Sequence, residues 1–274
     1  MIYPVWINGS AGTCIDPADR GLAYGDGLFE TLRIEHGRAI FLEQHLSRLF
    51  NSCHYLGIAL DAEKLRQDFS RFRATCSASG IIKIMVTRGV SGRGYLPDPA
   101  AAPTVIFSSH ALPLYPAAFA REGVTAALCV QRLGQQPMLA GHKHLNRLEQ
   151  VMLRRELAEM GADEALVCDL DGNVVEGVFN NVFLVRAGVL CTPHIEMAGV
   201  LGVMRSVLIA QAKADGIQVQ QGQYVLDDFL EADEVFFCNS VNGIWPVRCL
   251  HDRHWQSGPV TRQLQDYWQS SLSY

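Results

Sequence analysis

Leu28–Leu56 reads LFETLRIEHGRAIFLEQHLSRLFNSCHYL, and within it the chain changes its period. LFETLRIEHGRAIFL has the pattern of a hairpin, with His36 and Gly37 at the turn. From Leu42 onward, apolar residues at 42, 46, 49, 50, 53 and 56 make one helical face. A strand pair handing over to a helix predicts a mixed α/β architecture. Outward from this stretch the pattern continues. PVWINGSAG reads as a short strand into a turn, and a second helix is expected from an Asp61 cap through Leu65, Phe69 and Phe72, ending before Gly80. GIIKIMVTRG and TVIFSSH read as buried strands flanking the glycine-rich GVSGRGYLPDPAAAP.

The proline- and alanine-rich ALPLYPAAFAREG marks a change of composition. It divides the chain into an N-terminal α/β domain (1–112), a linker (113–121) and a C-terminal α/β domain (122–274). The second half reads as the strand VTAALCV, then LAGHKHLNRLEQVMLRREL, and a hairpin EALVCDLDGNVVEG turning at Asp171–Gly172. In Leu139–Leu157 the apolar residues Leu145, Leu148, Val151, Met152 and Leu157 suggest an amphipathic helix. The strand NNVFLVR, a helix VMRSVLIAQAKADG stopped by Gly216, the strand EADEVFFCNS and a last helix TRQLQDYWQSSL complete the reading. Strands and helices mixed in both halves give two α/β or α+β domains.

Composition excludes several classes. The chain has 274 residues, 49% hydrophobic and 19% charged, with a net charge of −5, which argues against a general nucleic-acid binder. No apolar run is long enough for a transmembrane helix, and MIYPVWINGSAG lacks a basic segment leading into an apolar one, so neither a membrane span nor a signal peptide is expected. The eight cysteines form no CxxC pair and sit mostly in apolar runs, as free thiols of a reducing, cytoplasmic compartment do. A metal site is not expected.

Three places could carry chemistry. Lys143 lies between His142 and His144, after PMLAG and before an apolar face. An ordinary lysine is a surface charge, but a partly buried one loses solvation of its ammonium form and becomes a nucleophile or base. The histidines lack a third metal ligand at motif spacing and read as packing residues. Glu176 leaves a hairpin among Val174, Val175, Val178 and Phe179, so an inward carboxylate needs a partner there, either an arginine or a protonated ring nitrogen. AGVLGVMRSVLIAQA is a glycine-bracketed loop opening into a helix, a natural phosphate seat. Ser240, at the end of a buried strand, and Arg48, alone among apolar helix residues, could close it.

In order and spacing these pieces resemble the fold-type IV pyridoxal-phosphate enzymes. The matching segments are DRGLAYGDGLFETLR, the arginine of HLSRL, the lysine of HKHLNRLEQV, the glutamate of VVEGVFNNVF, GVLGVMR and ADEVFFCNS, spanning residues 19 to 240. The family includes branched-chain and D-amino acid aminotransferases and aminodeoxychorismate lyases. The resemblance implies a two-domain α/β (α+β) fold of the D-amino acid aminotransferase type, a pyridoxal 5'-phosphate cofactor and a homodimer.

It also implies roles. Lys143 would hold the cofactor covalently and shuttle protons, and Glu176 would keep its pyridine nitrogen protonated. Arg48, the N–H groups of Val203 and Met204, and Ser240 with Val241 would anchor the phosphate. AGHKHLNRLEQV and RGVSGRGY look most like the lyase branch, which converts 4-amino-4-deoxychorismate to 4-aminobenzoate and pyruvate. Such a substrate carries two carboxylates, for which Arg88 and Arg93 of the glycine-rich loop are candidates, with Thr31 also facing the substrate. An aminotransferase for D-amino or branched-chain amino acids is the alternative. Two departures weigh against it: Arg147 stands where many aminotransferases carry tyrosine, and CNS replaces TGT.

Overall fold

The computed structural model describes residues 4–273, so the first three residues of the N-terminal stretch lie outside it. Residues up to Pro113, together with His142–Arg147, form one compact unit; Leu114–Gly141 and the chain from Leu148 onward form the other.

The first unit contains β1 (Val5–Ile7), β2 (Ser10–Ala11), α1 (Arg20–Tyr24), β3 (Gly27–Glu35), β4 (Arg38–Ala39), α2 (Leu42–Leu56), α3 (Ala62–Arg73), β5 (Gly80–Thr87) and β6 (Thr104–His110). The sheet runs β2-β1-β6-β5-β3-β4 and every neighbouring pair is antiparallel. His36 and Gly37 form the two-residue turn between β3 and β4 at φ of 47° and 81°, the left-handed pair that matches strand twist. Asp61 caps α3 by accepting from the Lys64 N–H at 2.9 Å. One face of the sheet buries Leu28, Leu32, Ile82, Ile84 and Phe107 against Leu46 and Leu49 of α2 and Phe69 and Phe72 of α3. Phe72 is fully buried and stacks on Phe107 with ring centroids 5.5 Å apart.

The second unit contains α4 (Ala118–Arg121), β7 (Val124–Leu128), α5 (Leu148–Met160), β8 (Glu164–Cys168), β9 (Val174–Gly177), β10 (Asn181–Arg186), β11 (Val189–Pro193), α6 (Val203–Ala214), β12 (Val219–Gly222), α7 (Leu226–Leu230), β13 (Glu234–Asn239), β14 (Gly243–Leu250), β15 (Arg253–His254) and α8 (Pro259–Ser273). Its sheet runs β12-β11-β10-β13-β14-β7-β8-β9, with β15 added to β14. Parallel pairs (β11 with β12, β14 with β7, β7 with β8) interrupt an otherwise antiparallel order. The core mixes Leu166, Val182, Leu184, Val235, Phe237 and Trp245 with Phe229 of α7.

Three differences from the sequence reading have physical causes. Part of the expected linker is helical, as α4, and Phe119 packs its ring 5.2 Å from Trp245. The lysine segment, expected in the C-terminal domain, belongs to the first unit: the Phe29 N–H donates to the Lys143 carbonyl and the Leu145 N–H to the Gly27 carbonyl, both at 2.9 Å. β4 covers only the far end of β3, and residues 143–145 occupy the edge left open near its start. As a result the helix starts only at Leu148. Leu148 and Val151, read as its apolar face, are 73% and 53% exposed, whereas Leu153 and Leu157 are buried.

Cys53, Cys129, Cys168, Cys191 and Cys238 are buried free thiols, and Cys14 is exposed. Burial pushes both Cys53 and Cys129 up to about 12. Among the described residues no helix is long and apolar enough to cross a membrane.

Phe72→Ala should destabilise the protein by about 3–5 kcal/mol, because the Phe107 and Trp6 contacts cannot collapse onto the cavity. Urea unfolding reads this as a lower midpoint; a loss under 1 kcal/mol, on the order of a surface change, would contradict the packing.

Candidate active site

In the first unit, Lys143 is carried on an extended segment whose main chain is fixed from both sides. Its carbonyl is taken by Phe29, and Leu28 bridges to His144. Arg147 then reaches back. Its Nε donates to the His144 carbonyl at 2.8 Å and an Nη to the His142 carbonyl at 3.0 Å, so one rigid fork holds the residues on either side of the lysine. The Lys143 Nζ lies 4.5 Å from the centroid of Phe29, an attraction between ammonium and ring face. His142 bonds Ser52 Oγ through Nδ1 at 2.8 Å and stacks on Tyr55. His144 is pushed down to about 4 by burial and by the nearby Arg147, His142 and Lys143, which keeps its imidazole neutral.

Lys83 on β5 completes the arrangement. Its Nζ lies 4.9 Å from the same Phe29 ring, it sits directly across the ladder from Thr31, and burial lowers its pKa. Thr31 shares the Phe29 face of β3, since residues two apart point the same way. The opposite face carries Glu30, which is buried in the core. Its Oε1 accepts from Arg48 Nε at 2.7 Å; Oε2 accepts from an Arg48 Nη and from His45 Nδ1, both at 2.6 Å. Burial works against the Glu30 charge, but the Arg48 guanidinium and the His45 bond outweigh it and hold the carboxyl down at about 2. Arg48 is thus held rigidly by a buried carboxylate.

Arg88 has a different use from the one expected. Its Nε donates to Asp26 at 2.7 Å, and its two Nη groups donate to the Leu56 and Gly57 carbonyls at 2.8 Å, closing the C-terminal end of α2. All three guanidinium nitrogens are engaged, so Arg88 is a brace between Asp26 and the end of α2. Arg20 is buried and similarly tied. It pairs with Asp26 at 2.9 Å and holds the Gly94 and Tyr95 carbonyls at 2.8 Å, fixing the loop on which Arg93 is exposed.

In the second unit, Glu176 lies on β9 and its Oε2 accepts from the Val200 N–H at 2.9 Å. The Val200 carbonyl accepts from Asn181 Nδ2, also at 2.9 Å. α6 starts at Gly202 with no side-chain cap, which leaves the first-turn N–H groups at Val203 and Met204 for an outside acceptor. Gly202 is required: a Cβ there would lie 1.9 Å from Asn181 Oδ1. Asn181 is paired across the ladder with Cys238, so this helix end sits at the same edge as the turn holding Ser240 and Val241. The Val241 N–H donates to Asn239 Oδ1 at 2.9 Å, giving it a part in shaping the turn.

The candidates therefore fall into two sets. Lys143, Arg48, Thr31, Arg88 and Arg93 belong to the first unit; Glu176, Val203, Met204, Ser240 and Val241 belong to the second. Sequence reasoning passed over Glu30, His45, Lys83, Asn181 and the clamp made by Arg147. Lys83 carried a usable signal, one lysine in the apolar strand GIIKIMV. Glu30 carried one too, a carboxylate at a core-facing position among Leu28, Leu32 and Ile34. The donor set fits pyridoxal phosphate: an amine for the aldehyde, a buried carboxylate for the ring nitrogen, and an uncapped helix N-terminus, a hydroxyl and a guanidinium for the phosphate. Among the described residues no three His, Cys, Asp or Glu side chains could hold a metal.

The model of the class IV amino-transferase family matches residues 27–250. An aminodeoxychorismate lyase of Vibrio harveyi is 34% identical over 264 residues, covering 95% of this chain and 97% of that protein. A putative branched-chain-amino-acid aminotransferase of Methanocaldococcus jannaschii is 33% identical over 90% of this chain and 88% of its own. The crystal structure of 4-amino-4-deoxychorismate lyase from Pseudomonas aeruginosa superposes with a TM-score of 0.95 at 44% identity, covering 98% of this chain and 100% of that one.

Glu30→Gln should cost about 3–5 kcal/mol, because it leaves Arg48 without its buried counter-charge. A carboxyl at about 2 in the fold and near 4.5 when unfolded stabilises the protein above the higher value and loses that contribution, about 3 kcal/mol, as pH falls toward 2. The Glu30→Gln protein should lack this acid-dependent part in chemical denaturation at pH 3 and pH 6; equal pH slopes for both proteins would refute the pairing. By NMR, the His144 ring should not titrate between about pH 5.5 and 8.

Proposed function

Because the chain belongs to the class IV amino-transferase family, we propose that it is a pyridoxal 5'-phosphate-dependent lyase, which converts 4-amino-4-deoxychorismate to 4-aminobenzoate and pyruvate. The similarity to lyases over nearly the whole chain supports this. The structural observation that carries it is the Arg147 fork on both carbonyls flanking Lys143, at the position where the aminotransferase pattern has tyrosine.

When bound, the cofactor supplies an electron sink beside the carbon that bears the substrate amino group. Lys143 would hold the cofactor, and its Nζ would take the proton from that ring carbon. The ether bond on the adjacent carbon breaks, the three-carbon fragment gains a proton and leaves as pyruvate, and the six-membered ring becomes aromatic. One proton is removed and one is returned, so no oxidant and no amino acceptor is needed. Glu176, steadied by Val200, keeps the pyridine nitrogen protonated; Arg48, steadied by Glu30, takes the phosphate with the N–H groups of Val203 and Met204 and with Ser240. Thr31, Lys83 and Arg93 face the substrate, the two cations meeting its carboxylates.

The protein works as a homodimer: the exposed Leu148 and Val151 of α5 are apolar surface suited to a second copy. Its unpaired thiols suit the reducing cytoplasm.

Purified protein should form pyruvate and 4-aminobenzoate from aminodeoxychorismate with no 2-oxo acid present; turnover that needs 2-oxoglutarate would establish the aminotransferase reading instead. Borohydride reduction and peptide mapping should place a pyridoxyl group on Lys143. Lys143→Ala should lose that label and about a thousandfold or more in kcat. Glu176→Gln should keep the cofactor and lose on the order of a hundredfold in kcat; full activity would remove its role. Sedimentation should give the mass of two chains.

A further inference from the structure

A chain of amides in the second unit links a fully buried carboxylate to the turn that holds Ser240. Glu164, at the start of β8, is fully buried. Its Oε1 accepts from the main-chain N–H groups of Ala165 at 2.9 Å and Val178 at 3.0 Å, and Phe179 N–H also faces the carboxylate. Its Oε2 accepts from Asn180 Nδ2. Asn180 Oδ1 accepts from Asn239 Nδ2 at 2.7 Å. Asn239 Oδ1 then accepts from the N–H groups of Val241 and Asn242 at 2.9 and 2.7 Å. Every partner of Glu164 in this set is a donor.

We propose that Glu164 is a positioning residue that sets, through the polarity of Asn180 and Asn239, the shape of the Asn239–Asn242 turn, and so seats the cofactor phosphate at Ser240. The proposal rests on the phosphate assignment made above. The logic is one of direction. An amide has one end that donates and one that accepts, and a carboxylate only accepts. Glu164 therefore forces the NH2 of Asn180 toward itself and the Asn180 oxygen toward Asn239. That turns the Asn239 oxygen onto the two main-chain N–H groups, which cannot rotate away. Burial pushes the Glu164 carboxyl up to about 7 against the N–H donors around it, so above that pH the charge at one end of the network fixes the orientation of an amide two links away, and networks of this kind hold or fail as a unit.

Glu164→Gln tests this without changing shape. Its single oxygen stays with the fixed N–H groups of Ala165 and Val178, and its NH2 is left facing Asn180, the partner that can flip. The flip propagates: Asn180 presents NH2 to Asn239, and Asn239 presents NH2 to the N–H groups of the turn. Adding Asn180→Asp supplies acceptors on both sides and restores the original orientation of Asn239, with the charge moved one link along.

The measurements are amide hydrogen exchange in cofactor-free protein and the dissociation constant for pyridoxal 5'-phosphate by absorbance titration. In Glu164→Gln, exchange at Val241 and Asn242 should rise about tenfold or more, with cofactor affinity falling about tenfold. The double variant should recover both to within about threefold of the parent. Asn239→Ala, at a half-buried position, should reproduce the faster exchange.

Unchanged exchange in Glu164→Gln, or a double variant no better than the single one, overturns the relay. A residue with a merely structural role would not be rescued by moving the charge. If the single variant does not fold, recovery of folding in the double variant supports the relay, and failure to recover counts against it. Exchange that rises and is restored while cofactor affinity stays constant upholds the relay and removes the phosphate from this turn.

Discussion

The two main-chain hydrogen bonds that join residues 143–145 to the start of β3 are the constraint on which the candidate site depends. A lysine on a helix or a free loop would leave its amine to wander over several ångströms of side-chain length. Here the backbone behind it is one edge of a sheet, gripped again by Arg147, and the ammonium rests over the Phe29 ring on the neighbouring strand. Rigid placement of this kind is what positional catalysis requires, because a reacting group displaced by about 1 Å loses much of its effect. The same pairing explains why the helix after the lysine begins late and why its N-terminal apolar residues are left outside the core.

Buried charge follows a common rule through the molecule. Asp26 meets two guanidinium groups, Glu30 meets Arg48 and His45, and Glu164 meets main-chain and amide N–H groups. Each of these three carboxylates is surrounded by donors and fixes the orientation of a neighbouring group. In the first unit the beneficiary is an arginine, in the second a helix-flanking loop and a turn. These acids add less by their own attraction than by fixing the direction of groups that would otherwise rotate.

Much of the fold was legible in the sequence because its signals are local. The period change at Leu42, the Asp61 cap, the His36–Gly37 and Asp171–Gly172 turns and the glycine before α6 each act within a few residues, and the structure has each where the pattern put it. The lysine segment was misjudged for the opposite reason: whether residues 143–145 continue a helix or join a sheet is decided by an open edge more than a hundred positions earlier. Arg88 misled in the same way. A cation in a glycine-rich loop looks available until the end of α2, distant in sequence, supplies two carbonyls to occupy it. Lys83 and Glu30 were visible as polar residues in apolar strands, but only pairing across the sheet reveals what they face.

The thiols have a consequence for handling the protein. With Cys53 and Cys129 raised to about 12, on the order of one in 100,000 of each is ionised at neutral pH, and it is the ionised sulfur that attacks an electrophile. Cys14 alone is exposed. A maleimide or a fluorescent iodoacetamide would therefore reach Cys14 first, with the half-buried Cys76 and Cys249 as slower sites, so single-site tagging calls for replacing those two and leaves the five buried thiols in place.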